Sequence, residues 1–400
     1  MTTLSGYLRS DQRKGIRNNI AVAYLVECAH HVAREIVHPY RERGVNLIGF
    51  SGCYPNAYSH RMMERLCTHP NTGAALLISL GCEGFNKGAL LEMIRRSGRP
   101  AQLIVIQDAG GTRSSIAEGQ AWIEQTLDQL QATPRVSMEL SELIVGTKCG
   151  GSDATSGLTA NPAMGRAFDH LVLEKAACIF EETGELIGME NWMAERAATP
   201  ELGQEIIKTV AKAARYYATL GHASFAPGNA DGGLTTIEEK SLGAYAKSGQ
   251  SLISGIIKPG DVPLAGGLYL MDMIPDGEVR FGFPNINDNA EVAEMIACGA
   301  HLVMFSTGRG SVVGSAISPI IKVCANPKTY ERMSDDMDVD AGRILEGRAT
   351  LDEVGREIYD LVVEVAGGRK TKSEALGHQE FVLTYKSFEP LGPACFPSAA

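Results

Sequence analysis

Four hundred residues, 44% hydrophobic and 21% charged, describe a globular chain long enough to build more than one core. A formal net charge of −10 argues against general nucleic-acid or anionic-membrane binding, both of which need basic surface; an anionic ligand must then meet locally placed cations. No apolar run approaches the roughly 20 residues of a bilayer span, and the M-T-T-L-S-G-Y-L-R-S start lacks a signal peptide's regions, so the expected location is the cytoplasm.

Arg9, Arg13, Lys14 and Arg17 precede a predicted strand at 20–26. They read either as a solvated lead-in or, through Arg17 and Asn18, as an anion contact. A helix from Cys28 to about residue 43 and a strand at 45–50 give the strand-helix-strand order of a parallel sheet. Ser51-Gly-Cys-Tyr-Pro-Asn follows that strand, with His60 opening the next helix, and a strand at 74–80 ends in Gly81-Cys-Glu-Gly. Cys28, Cys53 and Cys82 thus each follow a predicted strand. In a parallel sheet those ends share one edge, where three thiols could converge; the competing reading is that a small apolar side chain suits crowded turns. Nine cysteines without a C-x-x-C pair otherwise read as reduced, mostly buried thiols. A strand at 103–107, a turn at 108–115 able to hold an anion through its amides and Arg113, and a helix at 116–130 close a first α/β unit, with Thr133-Pro-Arg as the linker.

The second unit opens on G-T-K-C-G-G-S-D-A-T-S-G-L-T-A-N-P at 146–162, directly after the apolar 143–145. Gly150 and Gly151 permit turns closed to other residues, so Cys149, Ser152, Asp153 and Ser156 could be gathered at a strand end; the alternative is a surface turn. After a helix from Asn161 and a strand at 177–180 come Glu181, Glu182, Glu185 and Glu190, suited to base or oxygen-ligand work, or merely to an acidic helix start. The 227–243 loop places Thr235 or Thr236 as a helix cap, with Glu238 or Glu239 following and Lys240 set among polar groups. A strand at 267–272, a polar loop at 281–289, a helix at 290–298 and a strand at 301–305 lead into S-T-G-R-G-S-V-V-G-S at 306–315. Its spacing is wrong for a dinucleotide loop, which sets aside a nicotinamide-dependent oxidoreductase. It reads instead as a carboxylate or sulfonate pocket using Arg309, with Lys322 adding charge. The expected fold is α/β, two α/β domains with mainly parallel sheets at 1–135 and 136–400, the second carrying the C-G-G-S-D loop.

Five segments together resemble the altronate/galactarate dehydratase family: G-Y-x-R-x-D-x-R-x-G-I-R-N at 6–18, C-G-G-S-D-x-x-S-G-x-T-A-N-P at 149–162, E-T-x-E-x-x-G-x-E at 182–190, P-G-N-x-x-G-G-L-T-T-x-E-E-K-S-L-G at 227–243 and T-G-R-G at 307–310. The resemblance implies a lyase that needs a divalent metal, usually iron (Fe2+), and no hydride cofactor. Family members carry a small extra domain or a separate small subunit. A start at Gly6-Tyr7 implies a large subunit with a separately encoded partner. At 281–290 the family pattern Thr-Gly-x-x-Pro-Glu is replaced by G-F-P-N-I-N-D-N. That departure counts against a sugar acid, and with its G-Y-L-R-S-D start, V-E-C-A-H-H and G-C-Y-P-N-A-Y the chain is most similar to members that cleave (2R)-sulfolactate into pyruvate and sulfite; dehydration of a sugar acid is the alternative. On this resemblance the metal is expected near Cys149, Asp153 and Glu182 or Glu185, with Cys28, Cys53 and Cys82 as weaker candidates, thiolates favouring iron. Lys240 or His60 is the expected base. Arg17, Asn18, Ser152, Asn161, Arg309 and Lys322 are expected to hold the 2-hydroxy acid.

Overall fold

Fourteen strands order the computed structural model, which describes residues 4–221, 224–276 and 287–388. They are β1 (Leu4–Leu8), β2 (Lys14–Gly15), β3 (Asn19–Tyr24), β4 (Val45–Gly49), β5 (Thr72–Ser79), β6 (Ala101–Val105), β7 (Arg135–Met138), β8 (Ile144–Cys149), β9 (Ala177–Phe180), β10 (Ile253–Ile257), β11 (Gly267–Met271), β12 (Leu302–Thr307), β13 (Ile320–Cys324) and β14 (Val339–Asp340). A four-stranded sheet has the order β4-β3-β5-β6, and a seven-stranded sheet the order β10-β11-β9-β8-β12-β13-β14. Every pairing in both is parallel. The chain is therefore an α/β protein with mainly parallel sheets.

Parallel strands covered on both faces read as apolar runs rather than alternations, and every residue of β5, β12 and β13 is buried. One face of the large sheet is covered by helix Ala160–Leu173, itself packed on Leu351–Ala366. Helix Asp288–Ala297 packs against β8, β12 and helix Ala57–Cys67. One apolar cluster accordingly joins Leu25, Ile48 and Leu77 of the smaller sheet's unit to Ile179, Met271, Val303 and Phe305 of the larger.

Three local features depart from the sequence reading. Arg135, the last residue of the segment read as a linker, opens β7, which pairs antiparallel with β1 in a third sheet of order β2-β1-β7. The helix expected to run from Cys28 to about 43 is regular only over His30–Val37, with Pro39 in the first turn of the 3-10 segment that follows. Strands β1, β2, β10, β13 and β14 are absent from the sequence reading; in β10 and β13, Ser254-Gly255 and Lys322 interrupt short apolar runs. The part of the polar loop at 281–286 lies outside the described residues.

Candidate active site

The large sheet places β8 between β9 and β12, so the chain leaves β8 toward one side and returns on the other. Loops at such a switch point diverge and leave a crevice at the carboxyl edge. Cys149 ends β8, and the loop after it runs to the helix at Ala160. Gly151 takes φ +61, and a Cβ at Gly308 would fall 2.0 Å from Asp153 Oδ1. The loops after β8 and β12 thus interlock, held by the Gly308 and Arg309 amides donating to the Gly151 carbonyl.

Cys149, Glu182 and Glu185 are buried, with ligand atoms all within 4.8 Å of one another. Glu182 sits in the left-handed region at φ 82, a conformation that costs free energy for a residue with a Cβ and that other contacts must hold. Its Oε1 accepts the Cys149 N–H at 2.8 Å, and its Oε2 meets Lys247. The Cys149 thiol donates to Glu185 Oε2 at 3.4 Å and accepts from Ser152 Oγ at 3.3 Å. Lys240 Nζ lies 2.7 Å from Glu185 and donates to the Ser224 carbonyl at 2.8 Å. Behind the trio, Lys148 reaches Glu181 and Glu182 at 3.0 Å each, Glu291 at 2.5 Å and Asp288 at 3.4 Å.

Five carboxylates (Glu181, Glu182, Glu185, Asp288 and Glu291) thus meet three ammonium groups (Lys148, Lys240 and Lys247), leaving two negative charges in excess. The protein's own relief is protonation. Burial, then Glu291, holds the Glu181 carboxyl well above its ordinary range. Burial and Glu185 likewise raise the Cys149 thiol, keeping its proton. Burial would raise Glu185 too, but Lys240 and Lys148 pull it below the usual carboxylate value. Lys240 and Lys148 move up, because neighbouring acids outweigh desolvation. A divalent cation would relieve the same excess and take the place of the thiol proton. Thiol and carboxylate donors in a buried group with excess negative charge fit such an ion, and Glu291 Oε1 is buried with no hydrogen-bond partner among the described residues.

A cavity of about 160 Å³ opens on the trio, lined by Cys149, Ser152, Asp153, Asn161, Glu185 and Lys240 among others. Six of the residues expected at the site thereby share one wall system, and Glu182 lies directly behind it. The Asp153 carboxylate is not in the ligand trio; it accepts from the Thr155 amide at 2.9 Å and hydroxyl at 2.6 Å, and from Asn326 Nδ2 at 2.9 Å. Asn161 bridges Ser306 Oγ at 2.7 Å and the Gly243 carbonyl at 3.0 Å, tying three loops together. Arg309 donates to the Gly228 carbonyl at 2.7 Å and lines an adjoining depression with Asp153 and Asn326.

Four expected residues are placed elsewhere. Arg17 commits all five N–H donors, to Glu374 and to the Ile16, Val365 and Arg369 carbonyls. Asn18 bonds Arg9 and the Leu130 carbonyl. His60 lies against the Phe85 ring, centroids 4.2 Å apart, in the unit of the four-stranded sheet. Lys322 is buried in β13 with Nζ 3.3 Å from His378 Nδ1. Cys28, Cys53 and Cys82 are exposed and do not join the trio. Conversely, Lys148, Lys247 and Glu291 were missed. The lysine inside the strand sequence I-V-G-T-K-C was a legible signal, since a charge within a buried run demands a partner.

Residues 140–388 match the family D-galactarate/Altronate dehydratase, C-terminal, and residues 6–131 match D-galactarate dehydratase/Altronate hydrolase, second domain. The (2R)-sulfolactate sulfo-lyase subunit beta of Chromohalobacter salexigens is 33% identical over 411 residues, covering 96% of this chain and 97% of that protein. The altronate dehydratase of Bacillus subtilis is 27% identical, covering 95% of this chain and 77% of its own. The galactarate dehydratase (L-threo-forming) of Escherichia coli is 32% identical, covering 78% and 59%. The relatives are lyases, and a buried thiol-carboxylate centre beside lysines, at the switch point of a parallel sheet, suits an enzyme of that class. The chain belongs to the D-galactarate/altronate dehydratase family. Among the described residues no helix is long and apolar enough to cross a membrane.

Proposed function

We propose that this lyase performs a metal-assisted β-elimination on (2R)-sulfolactate, releasing pyruvate and sulfite, as the large subunit of a two-subunit enzyme in the cytoplasm. The observation that carries the chemistry is the buried Cys149, Glu182 and Glu185 trio opening on a cavity walled by Lys240. Support for the substrate comes from the sulfo-lyase subunit, similar over nearly the full length of both chains; a relative that is itself a subunit also supports a small partner. Cys149, Glu182 and Glu185 would hold the cation, with iron favoured by the thiolate. When bound, it supplies Lewis-acid stabilisation of the negative charge that develops when the carbon beside the carboxylate loses its proton.

The chain's own residues account for proton movement and orientation. The C2 proton must leave as the C3–sulfur bond breaks, its electron pair departing with sulfite; the resulting enol takes a proton at C3 to become pyruvate. Lys240 lines the cavity and is the group placed to exchange a proton there. Glu185, 2.7 Å away, holds it as the ammonium at rest. It must therefore pass its proton to solvent before it can accept one from C2. Ser152 and Asn161 line the same cavity, and Arg309 lines the adjoining depression, where a second anionic end would lie.

Dehydration of a sugar acid is the second reading, favoured by the altronate and galactarate dehydratases among the relatives. The deciding experiment is an anaerobic assay of the chain with ferrous iron and its small subunit against sulfolactate and altronate in parallel, detecting sulfite and 2-oxo acid separately. Sulfite with pyruvate is the expected result. A 2-oxo acid from altronate with no sulfite from sulfolactate would overturn it.

A further inference from the structure

Three thiols stand apart from the buried trio. Of the eight cysteines described, Cys28, Cys53 and Cys82 are exposed and the other five are buried. Each exposed one follows a strand of the four-stranded sheet: β3, β4 and β5, which are adjacent and parallel. Their loops therefore emerge at one edge, and the backbone stitches them together. The Glu27 amide donates to the Ser51 carbonyl at 3.2 Å, and the Gly84 amide donates to the Cys53 carbonyl at 2.9 Å.

The rim is firm rather than loose. The buried Glu83 carboxylate accepts from Ser79 Oγ and, at 2.9 Å, from the Gly81 amide, folding the third loop so that Cys82 stays outside. Phe50 packs on Phe85 beneath the loops, with centroids 6.1 Å apart, and Tyr385 donates to the Tyr54 carbonyl at 3.0 Å. A cysteine with only a packing role belongs inside, as Cys67, Cys178, Cys298 and Cys324 are. Three exposed cysteines on three neighbouring loops invite a different reading.

We propose that this rim binds an iron–sulfur cluster through Cys28, Cys53 and Cys82. A single tetrahedral ion with metal–sulfur bonds near 2.3 Å would bring its thiolates within about 4 Å of one another. Among the described residues the only three His, Cys or acidic ligands mutually within 4.8 Å are the buried trio, so the rim thiols stand wider than one ion needs. A cluster spreads its thiolate ligands over several irons and so accepts thiolates set wider apart than one ion does. With three protein thiolates, a four-iron cluster keeps one iron free of cysteine, on the solvent side of the rim.

The test is anaerobic reconstitution of the full chain with ferric iron, sulfide and dithiothreitol, followed by desalting and assay of iron, acid-labile sulfide and visible absorption. This readout needs no turnover, so it is independent of the elimination reaction proposed above. The expected result is sulfide and iron in matching, multiple equivalents, mostly lost in Cys28→Ser, Cys53→Ser and Cys82→Ser and retained in Cys149→Ser. Thermal unfolding of each apo variant checks that it still folds. Iron bound without sulfide, sulfide retained after all three rim substitutions, or a disulfide between two rim cysteines in protein purified anaerobically would overturn the proposal.

Discussion

The two parallel sheets end differently at the same edge. Beyond the large sheet, the loops after β8 and β9 turn inward and bury Cys149, Glu182 and Glu185, and the 224–247 segment closes over them, contributing Ser224, Asn229, Lys240 and Lys247. Beyond the four-stranded sheet, the loops after β3, β4 and β5 leave their thiols exposed, and the buried acid, Glu83, is spent on its own turn. Parallel pairing is common to both, so it cannot be the cause. What differs is a covering segment that brings ammonium groups with it. One buried carboxylate can be met by hydrogen bonds, as Glu83 is, but several buried together need cations, and the large sheet has three.

Removing one of those cations should give the largest contrast between the edges. In Lys148→Met, Glu181, Glu182 and Glu291 lose their shared partner, and breaking a buried pair from one side costs about 3–5 kcal/mol. Cys82→Ser at the other edge, in the apo chain, should shift stability by no more than about 0.5 kcal/mol. Urea unfolding of both reads the difference. Equal losses would mean that the buried cluster is not a special concentration of charge.

Lys240→Met separates chemistry from folding. It removes the proton-exchanging group from the cavity wall, and kcat is expected to fall about 100- to 10,000-fold. Because Glu185 loses its 2.7 Å partner, its carboxyl should also rise toward and above its ordinary value. A variant that keeps wild-type kcat would leave Lys240 as a structural counter-ion alone.

The seam between the two units responds to acid. His301 is buried, its Nδ1 accepts the Ile144 N–H at 3.0 Å, and its Nε2 lies 2.9 Å from the Lys14 carbonyl. Burial pushes it from the ordinary 6.5 down to about 4, and His69, buried nearby, is lowered as well. The unfolded chain takes up a proton at His301 as pH falls through 6.5, whereas the folded chain resists until about 4. Stability is therefore full above 6.5 and lost progressively down to 4, by roughly 3 kcal/mol for His301 alone. Unfolding measured at pH 7 and pH 5 checks this; a flat profile would mean that the seam admits water.

Much of this arrangement is legible in the sequence. The strand-helix alternation, the loop at 149–162 and the acids at 182–185 can be read because glycine clusters and carboxylates directly after apolar runs mark strand ends. Lys148 and Lys247 cannot be assigned in that way, since their partners come from distant segments: Lys148 meets Glu291, and Lys247 meets Glu182. Arg17 misleads for the same reason. Its neighbourhood looks like an exposed basic arm, yet Glu374, at the far end of the chain, takes it up. Local pattern shows where a strand ends, but only the fold shows which charges meet there.

The smallest expected effect concerns Arg309, at the margin between the interlocked loops. Its guanidinium holds the Gly228 carbonyl at 2.7 Å with one nitrogen, which leaves the rest of the fork for an anion. Arg309→Lys keeps the charge but loses the planar pair of donors. If a substrate sulfonate or carboxylate is gripped by that fork, kcat/KM should fall about tenfold, close to the worth of one charged hydrogen bond, with kcat nearly unchanged because the anion is distant from the reacting carbon. A drop in kcat with KM unchanged would instead mean that Arg309 acts by bracing the 227–243 loop, and through it Lys240. Unaltered kinetics would restrict substrate recognition to the groups already walling the cavity.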